Sequence, residues 1–318
     1  PLDQITAAAR APGPGTGAAG HHSVFTQTES AWENVAKLDQ DFFPKEYPSL
    51  TIDSFTIIGS GPKNGAGLRL TEERLLSTAG RNPMGAWRRF NEWLATGIEV
   101  ISMTYKSLSG DPAVWESTIR GFEAQDRVDP PAGNTIVFTG SSSITLWKTL
   151  ARDMAPLPVI NRGFGGSRTA DLVRYADRIA TAWKPLALVV FVGTNDIAGR
   201  KPKTAQQVFD NLVSFIQAVH DSLPEAIIYY LSITPTPARW RLWPVAEEAN
   251  RLMRDYAETD DRLHFIDLVP AILKPDGLPD RSLYRIDRLH PNTKGYATWA
   301  AVLKPILESN FPPSNAGQ

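Results

Sequence analysis

Short, almost wholly apolar runs alternate with amphipathic stretches from about residue 130 onward. The runs are TIVFT (135–139), PLPVIN (156–161), ALVVFV (187–192), AIIYYLSI (226–233) and LHFIDL (263–268). They are short and rich in β-branched residues, as strands are. Between and after them, TLWKTLARDM, TADLVRYADRIATAW, TAQQVFDNLVSFIQAVHDSL, PVAEEANRLMRDYAET and TKGYATWAAVLKPILES carry apolar residues at helical spacing. A strand that is apolar on both faces must be covered on both, which predicts a parallel sheet between two helical layers. Right-handed crossovers then narrow the topology to a doubly wound, flavodoxin-like, five-stranded parallel sheet in a three-layer α/β/α sandwich.

Before that regular region the pattern is less informative. Residues 7–20 (AAARAPGPGTGAAG) are Ala/Gly/Pro-rich without apolar period, so residues 1–30 are read as a flexible tail. Residues 31–110 form an N-terminal accessory region of unclear fold, with strand-like TIDSFTIIG (51–59) and GIEVISMTY (97–105) and helix-like LTEERLLSTA and MGAWRRFNEWLA. Trp87 and Trp93, with Arg88 and Arg89 between, read as a core-facing stripe with solvated arginines rather than a ligand-facing helix. A connecting helix is expected over 111–129, the catalytic domain over 130–312 and a short tail over 313–318.

Composition excludes several function classes. The 318 residues contain no cysteine, which removes disulfides, thiolate catalysis and Cys-ligated metal from consideration. The 33 basic and 34 acidic side chains leave a formal net charge of −1 and no electrostatic case for a nucleic-acid partner. No apolar run approaches the ~20 residues needed to span a bilayer. The chain begins with Pro1 rather than Met, which fits removal of a signal peptide or trimming. A soluble protein is expected, and the compartment, cytoplasmic or secreted, is left open. His21 and His22 read as solvated polar residues for want of further ligands nearby.

Ligands of open parallel sheets bind beyond the carboxyl ends of the strands, so the residues just after each strand matter most. After the first come Gly140-Ser141-Ser142-Ser143, either a helix cap or an exposed nucleophile at a helix start. After the second come Asn161-Arg162-Gly163-Phe164-Gly165-Gly166-Ser167, readable as a structural turn, a phosphate loop or an oxyanion donor. The phosphate reading is weak, because a dinucleotide fingerprint belongs after the first strand of its unit. After the third come Gly193-Thr194-Asn195-Asp196, where Asn195 is a turn residue or an amide donor to a developing oxyanion. Between the fifth strand and the last helix come Asp287-Arg288-Leu289-His290-Pro291-Asn292, the shortest way for one loop to carry a general base and the carboxylate that orients it. His264 lies inside a strand and His220 near a helix end, so neither competes with His290. With strand order 2-1-3-4-5, Ser142 would be flanked by the Gly166 and Asn195 loops, and the His290 loop would approach the same edge.

At these residues the sequence resembles the SGNH (GDSL-type) hydrolase family, over roughly residues 130 to 310. The resemblance implies a serine esterase with Ser142 as nucleophile, Asp287 and His290 completing the triad, and no metal or organic cofactor. It implies an oxyanion hole made by the backbone N–H of Ser142, by Gly166 in NRGFGGS and by Asn195 in GTND. Ser141 stands where many members carry the Asp of Gly-Asp-Ser, and a one-residue shift of register would make Ser141 or Ser143 the nucleophile. No Gly-x-Ser-x-Gly pentapeptide occurs, which removes the α/β-hydrolase nucleophile elbow.

The stretch TPTPARWRLWP after the fourth strand places Arg239 and Trp240 near the same edge, as substrate-binding candidates or loop packing. Trp147, close behind Ser142, reads as core. No long apolar lid is evident, so the expected substrates are small-molecule or carbohydrate esters with short acyl or acetyl groups. An acyltransferase on the same scaffold and a non-catalytic carbohydrate-binding module are the alternatives.

Overall fold

Five strands whose side chains alternate between two apolar layers organise the region after residue 130. In the computed structural model, residues 56–58, 67–69, 103, 106, 111–199 and 201–312 are described. The chain divides into two units, Pro1–Ile98 and Glu99–Gln318. In the first, strand β1 (Thr56–Ile58) pairs antiparallel with β2 (Gly67–Arg69), and β1 falls within the expected strand at 51–59. The helix-like segments at 70–79 and 84–95, the tail at 7–20, His21 and His22 lie outside the described residues.

In the second unit, β3 (Ile136–Gly140), β4 (Val159–Gly163), β5 (Ala187–Phe191), β6 (Ile227–Leu231) and β7 (Leu263–Ile266) form one sheet. Every pairing is parallel and the spatial order is β4-β3-β5-β6-β7. That is the 2-1-3-4-5 order expected of a doubly wound sheet. The expected strands match within a few residues at their ends.

The period of two along each strand explains why the runs are apolar throughout. Val137, Leu188, Val190, Ile228 and Tyr230 enter one core layer, with Ile119, Leu172, Val208, Leu212, Phe215 and Met253. Helices α1 (Glu116–Val128), α4 (Thr169–Ala176), α5 (Ala205–Ser222) and α6 (Trp243–Ala257) supply that layer. Ile136, Phe138, Val189, Phe191, Tyr229 and Leu231 enter the other. It is closed by α2 (Ser142–Thr145), α3 (Leu150–Met154), α7 (Val269–Ile272) and α8 (Thr293–Asn310). Trp147 is buried there, edge-on to Phe138 at 6.0 Å and stacked on Tyr296 at 5.1 Å, with its indole N–H on Asp153 at 2.9 Å.

Three expectations are corrected. The helix expected over TLWKTLARDM is two short helices, α2 and α3, because α2 ends after one turn and the chain turns through 146–149 before α3. The helix expected over 169–183 gives way after Ala176 to a π-turn, Asp177–Thr181. Met103, inside the segment read as a strand over 97–105, is helical and buried. It packs so closely on the loop after β4 that a Cβ on Gly165 would lie 2.3 Å from its sulfur. Apolar runs this short do not distinguish strand from buried helix by period alone.

Candidate active site

The turn after β3 begins at Gly140, whose φ of 133° and contact with Phe191 leave no room for a side chain. A Cβ there would sit 2.0 Å from Phe191 O. The chain then enters α2 with Ser142 as its first residue. The first N–H groups of a helix lack intrahelical acceptors, and among the described residues nothing accepts from Ser142 N. Side chains from distant elements also bind carbonyls of this single turn and of Leu146 just after it. Tyr296 Oη donates to Ser143 O (2.9 Å), Asn161 Nδ2 to Ile144 O (2.6 Å) and Arg285 Nη2 to Leu146 O (3.4 Å). A four-residue helix too short to hold itself is thereby fixed by β4, α8 and the loop before α8.

That loop is closed by an antiparallel bridge between Tyr284 and Pro291, with Arg285 N donating to His290 O at 2.8 Å. Asp287 Oδ1 accepts the backbone N–H of Leu289 (2.9 Å) and of His290 (3.0 Å), and Oδ2 meets His290 Nδ1 at 2.6 Å. The three-residue spacing therefore lets one carboxylate hold both the loop backbone and the imidazole ring. Burial works to raise the Asp287 carboxyl pKa, but the hydrogen bonds and charge of His290, with the Leu289 N–H, outweigh it and hold it below the ordinary value. An ionised carboxylate only accepts, so Nδ1 carries a proton, and whenever the ring is in its neutral form Nε2 is the acceptor. His290 Nε2 lies 2.8 Å from Ser142 Oγ. Of the three consecutive serines it is thus Ser142 that meets the histidine, whereas Ser141 Oγ is buried with no hydrogen-bond partner among the described residues.

The expected oxyanion loops are joined to the β3 turn and to each other. Phe164 N (2.9 Å) and Ser167 Oγ (3.2 Å) both donate to Gly140 O, and Asn195 Nδ2 donates to Ser167 O at 3.0 Å. Gly166 has φ 85°, the left-handed region that glycine adopts most easily. No acceptor meets its N–H among the described residues. Asp196 fastens the two loops from beneath. It is fully buried and accepts Thr169 N (3.0 Å), Thr169 Oγ1 (2.6 Å) and Lys203 Nζ (2.8 Å).

Arg239 and Trp240, adjacent in sequence and both substrate-binding candidates there, are separated by the fold. Arg239 lines the cleft together with Ser142, Ser143, Thr194, Leu289 and His290. Its Nη1 donates to Thr194 O (2.8 Å), Thr194 Oγ1 (3.0 Å) and Asn195 Oδ1 (3.0 Å). Burial pushes its pKa down to about 10 against the opposing pull of Asp287, so the guanidinium stays charged at neutral pH. Trp240 stacks on Trp243 at 6.3 Å and does not line the cleft. The cleft volume is about 10 Å³, room for about one water molecule. His264 stacks on Tyr229 and His220 bonds Ala226 O, both away from Ser142.

Sequence reasoning missed the supports: Asp196 as a fastener, Lys203, Thr169, Tyr296 and Arg285. Asp196 and Thr169 carried a faint signal, as polar residues at a strand exit and a helix start. Tyr296 and Arg285 act across long sequence separations and carry none, and Lys203, seven residues after Asp196, reads as an ordinary loop lysine. Among the described residues no group of three or more His, Asp or Glu could hold a metal ion, and no helix is long and apolar enough to cross a membrane.

Residues 132–298 match the family described as GDSL-like Lipase/Acylhydrolase. No curated protein matches the chain. Among solved structures it is similar to a GDSL-like lipase from Bacteroides thetaiotaomicron, at 18% identity over 60% of this chain and 98% of that one, TM-score 0.53. It is also similar to a protein from Streptococcus pneumonia named as a platelet activating factor, at 21% identity over 60% and 92%, TM-score 0.54. A third is a protein named as an acylhydrolase from Bacteroides fragilis, at 19% identity over 59% and 94%, TM-score 0.52. At such identities the likeness is one of fold.

Proposed function

Because the chain belongs to the GDSL-like lipase/acylhydrolase family, we propose that it is a serine esterase that hydrolyses short-acyl esters through an acyl-enzyme on Ser142. The observation that carries this reading is the hydrogen-bonded line Ser142 Oγ–His290 Nε2 (2.8 Å) and His290 Nδ1–Asp287 Oδ2 (2.6 Å).

Ser142 Oγ attacks the ester carbonyl as its proton passes to His290 Nε2, and Asp287 stabilises the imidazolium through the Nδ1–H bond. The carbonyl oxygen becomes an oxyanion, held by the N–H groups of Ser142 and Gly166 and by Asn195 Nδ2–H. Collapse breaks the C–O bond to the alcohol, which leaves with the proton from Nε2. Water, deprotonated by the same imidazole, then attacks the acyl-enzyme and frees the acid and Ser142. The small size of the cleft beside Ser142 favours short acyl groups over long ones.

The test compares hydrolysis of p-nitrophenyl acetate, butyrate and octanoate by the wild type and Ser142→Ala. Activity that falls with chain length and disappears in the variant is expected. Octanoate cleaved as fast as acetate would remove the short-acyl part, and an active Ser142→Ala would remove the nucleophile assignment. Adding a competing alcohol and quantifying new ester against free acid separates hydrolysis from acyl transfer.

A further inference from the structure

We propose that Arg239 is a positioning residue of the oxyanion side, holding the Asn195 carboxamide so that Nδ2 faces the reacting oxygen. This rests on reading Ser142 as the nucleophile and Asn195 as an oxyanion donor.

A primary amide can be flipped with almost no change of shape, yet only one orientation presents N–H groups to an oxyanion. Two partners select that orientation. Ser167 O, which can only accept, lies 3.0 Å from Asn195 Nδ2, and the guanidinium, which can only donate, places Nη1 3.0 Å from Oδ1. A flipped amide would set oxygen against oxygen on one side and NH₂ against a guanidinium on the other. Nδ2 carries two hydrogens and gives one to Ser167 O, so the second is available to a substrate oxygen.

The same Nη1 grips Thr194 through both its carbonyl and its hydroxyl. Two hydrogens thus serve three protein acceptors, one of them shared. Arg239 itself is held at the turn that opens the 3-10 helix Pro237–Leu242, where its N–H donates to Thr236 Oγ1 at 3.2 Å. The neighbouring Ala238 N donates to Arg288 O at 3.0 Å, within the loop that carries Asp287 and His290. The Ala238-Arg239 pair therefore joins the loop of Asp287 and His290 to the loop of Thr194 and Asn195. With Nη1 committed to Asn195 and Thr194, the contribution of that nitrogen passes through the amide.

Four variants decide the matter: Arg239→Ala, Arg239→Lys, Asn195→Ala and Arg239→Ala/Asn195→Ala. Each is compared with the wild type for kcat and KM on p-nitrophenyl acetate and for the rate of labelling by a fluorophosphonate. Expected for Arg239→Ala is a fall in kcat of roughly ten- to hundredfold with KM within about twofold, and slower labelling in parallel. In the Asn195→Ala background the same substitution should cost little more, because its role acts through that amide. Arg239→Lys, which keeps a charge and a donor, should recover part of kcat.

A KM rise at unchanged kcat would overturn the proposal in favour of substrate binding, and losses that multiply in the double variant would overturn it as well. If Arg239→Ala does not fold, Arg239→Lys decides. A kcat between those of the wild type and Asn195→Ala supports positioning, whereas wild-type kcat excludes it. Failure of the wild type itself to be labelled at Ser142 would instead defeat the esterase reading, and the two failures are thereby told apart.

Discussion

The two flanks of Ser142 are built on different principles. On the His290 flank, four consecutive positions of one loop carry the proposed base and its carboxylate, and the carboxylate also binds two backbone N–H groups of that loop. On the Gly166–Asn195 flank, loops from β4 and β5 are aligned by Ser167, Asp196 and Arg239, with Lys203 and Thr169 behind them. The first flank is nearly self-contained. The second exists only when distant segments have docked. A proton relay along one line needs a few atoms in sequence, whereas an oxyanion hole needs donors converging on one point from several directions.

That contrast should appear as graded losses. His290→Ala should lower kcat roughly 10⁴-fold or more, and adding Ser142→Ala should cost little further, because the pair acts as a unit. Multiplicative losses in that double variant would break the single-unit description.

Asp287→Asn should cost roughly 10³–10⁴-fold in kcat by removing the carboxylate that sets the tautomer. Its effect on stability should depend on pH in a defined direction. Because the folded pKa of Asp287 is lowered, its ionised form stabilises the fold above the unfolded carboxyl pKa of about 3.9 and loses that contribution as pH falls through the folded value. Thermal midpoints of wild type and variant should therefore converge below about pH 4. A gap that widened in acid would reverse the sign assigned to the His290–Asp287 pair.

On the other flank, Asn195→Ala should lower kcat by roughly 10²–10³ with little change in KM. A loss as large as that of His290→Ala would mean the flanks are not separable. Asp196→Ala removes no proposed donor, but it leaves the buried Thr169 N–H and hydroxyl without their acceptor and Lys203 without its carboxylate, with only Thr169 Oγ1 to donate to. Chemical denaturation should show a loss of about 3 kcal/mol. The smallest change is Tyr296→Phe, which deletes only the hydroxyl on Ser143 O. About 1 kcal/mol of stability and a several-fold fall in kcat are expected. An unaffected kcat would show that Asn161 and Arg285 suffice to hold the Ser142 turn.

The proposed triad drew attention in the sequence because its pattern is local: Asp287 and His290 lie three apart, and Ser142 comes directly after a strand. Gly166 and Asn195 were legible only as loop residues at the same sheet edge. Arg239 was seen, but as a candidate for substrate, since nothing in TPTPARW points to Thr194 and Asn195, some 45 residues earlier. Trp240, read either as a substrate contact or as loop packing, stacks on Trp243, the second of those two readings.

The amino-acid pattern by itself determined the layer order, the parallel sheet and the strand ends where chemistry collects, because burial on both faces demands apolar residues at every strand position. It also determined that one loop carries both histidine and aspartate. Tertiary structure decided which of three adjacent serines meets His290, which way the Asn195 amide faces, and that Arg239 grips protein atoms. Each of those outcomes depends on a hydrogen bond between groups remote in the chain. Such a bond is specified by distances of about 3 Å that exist only after the layers have packed.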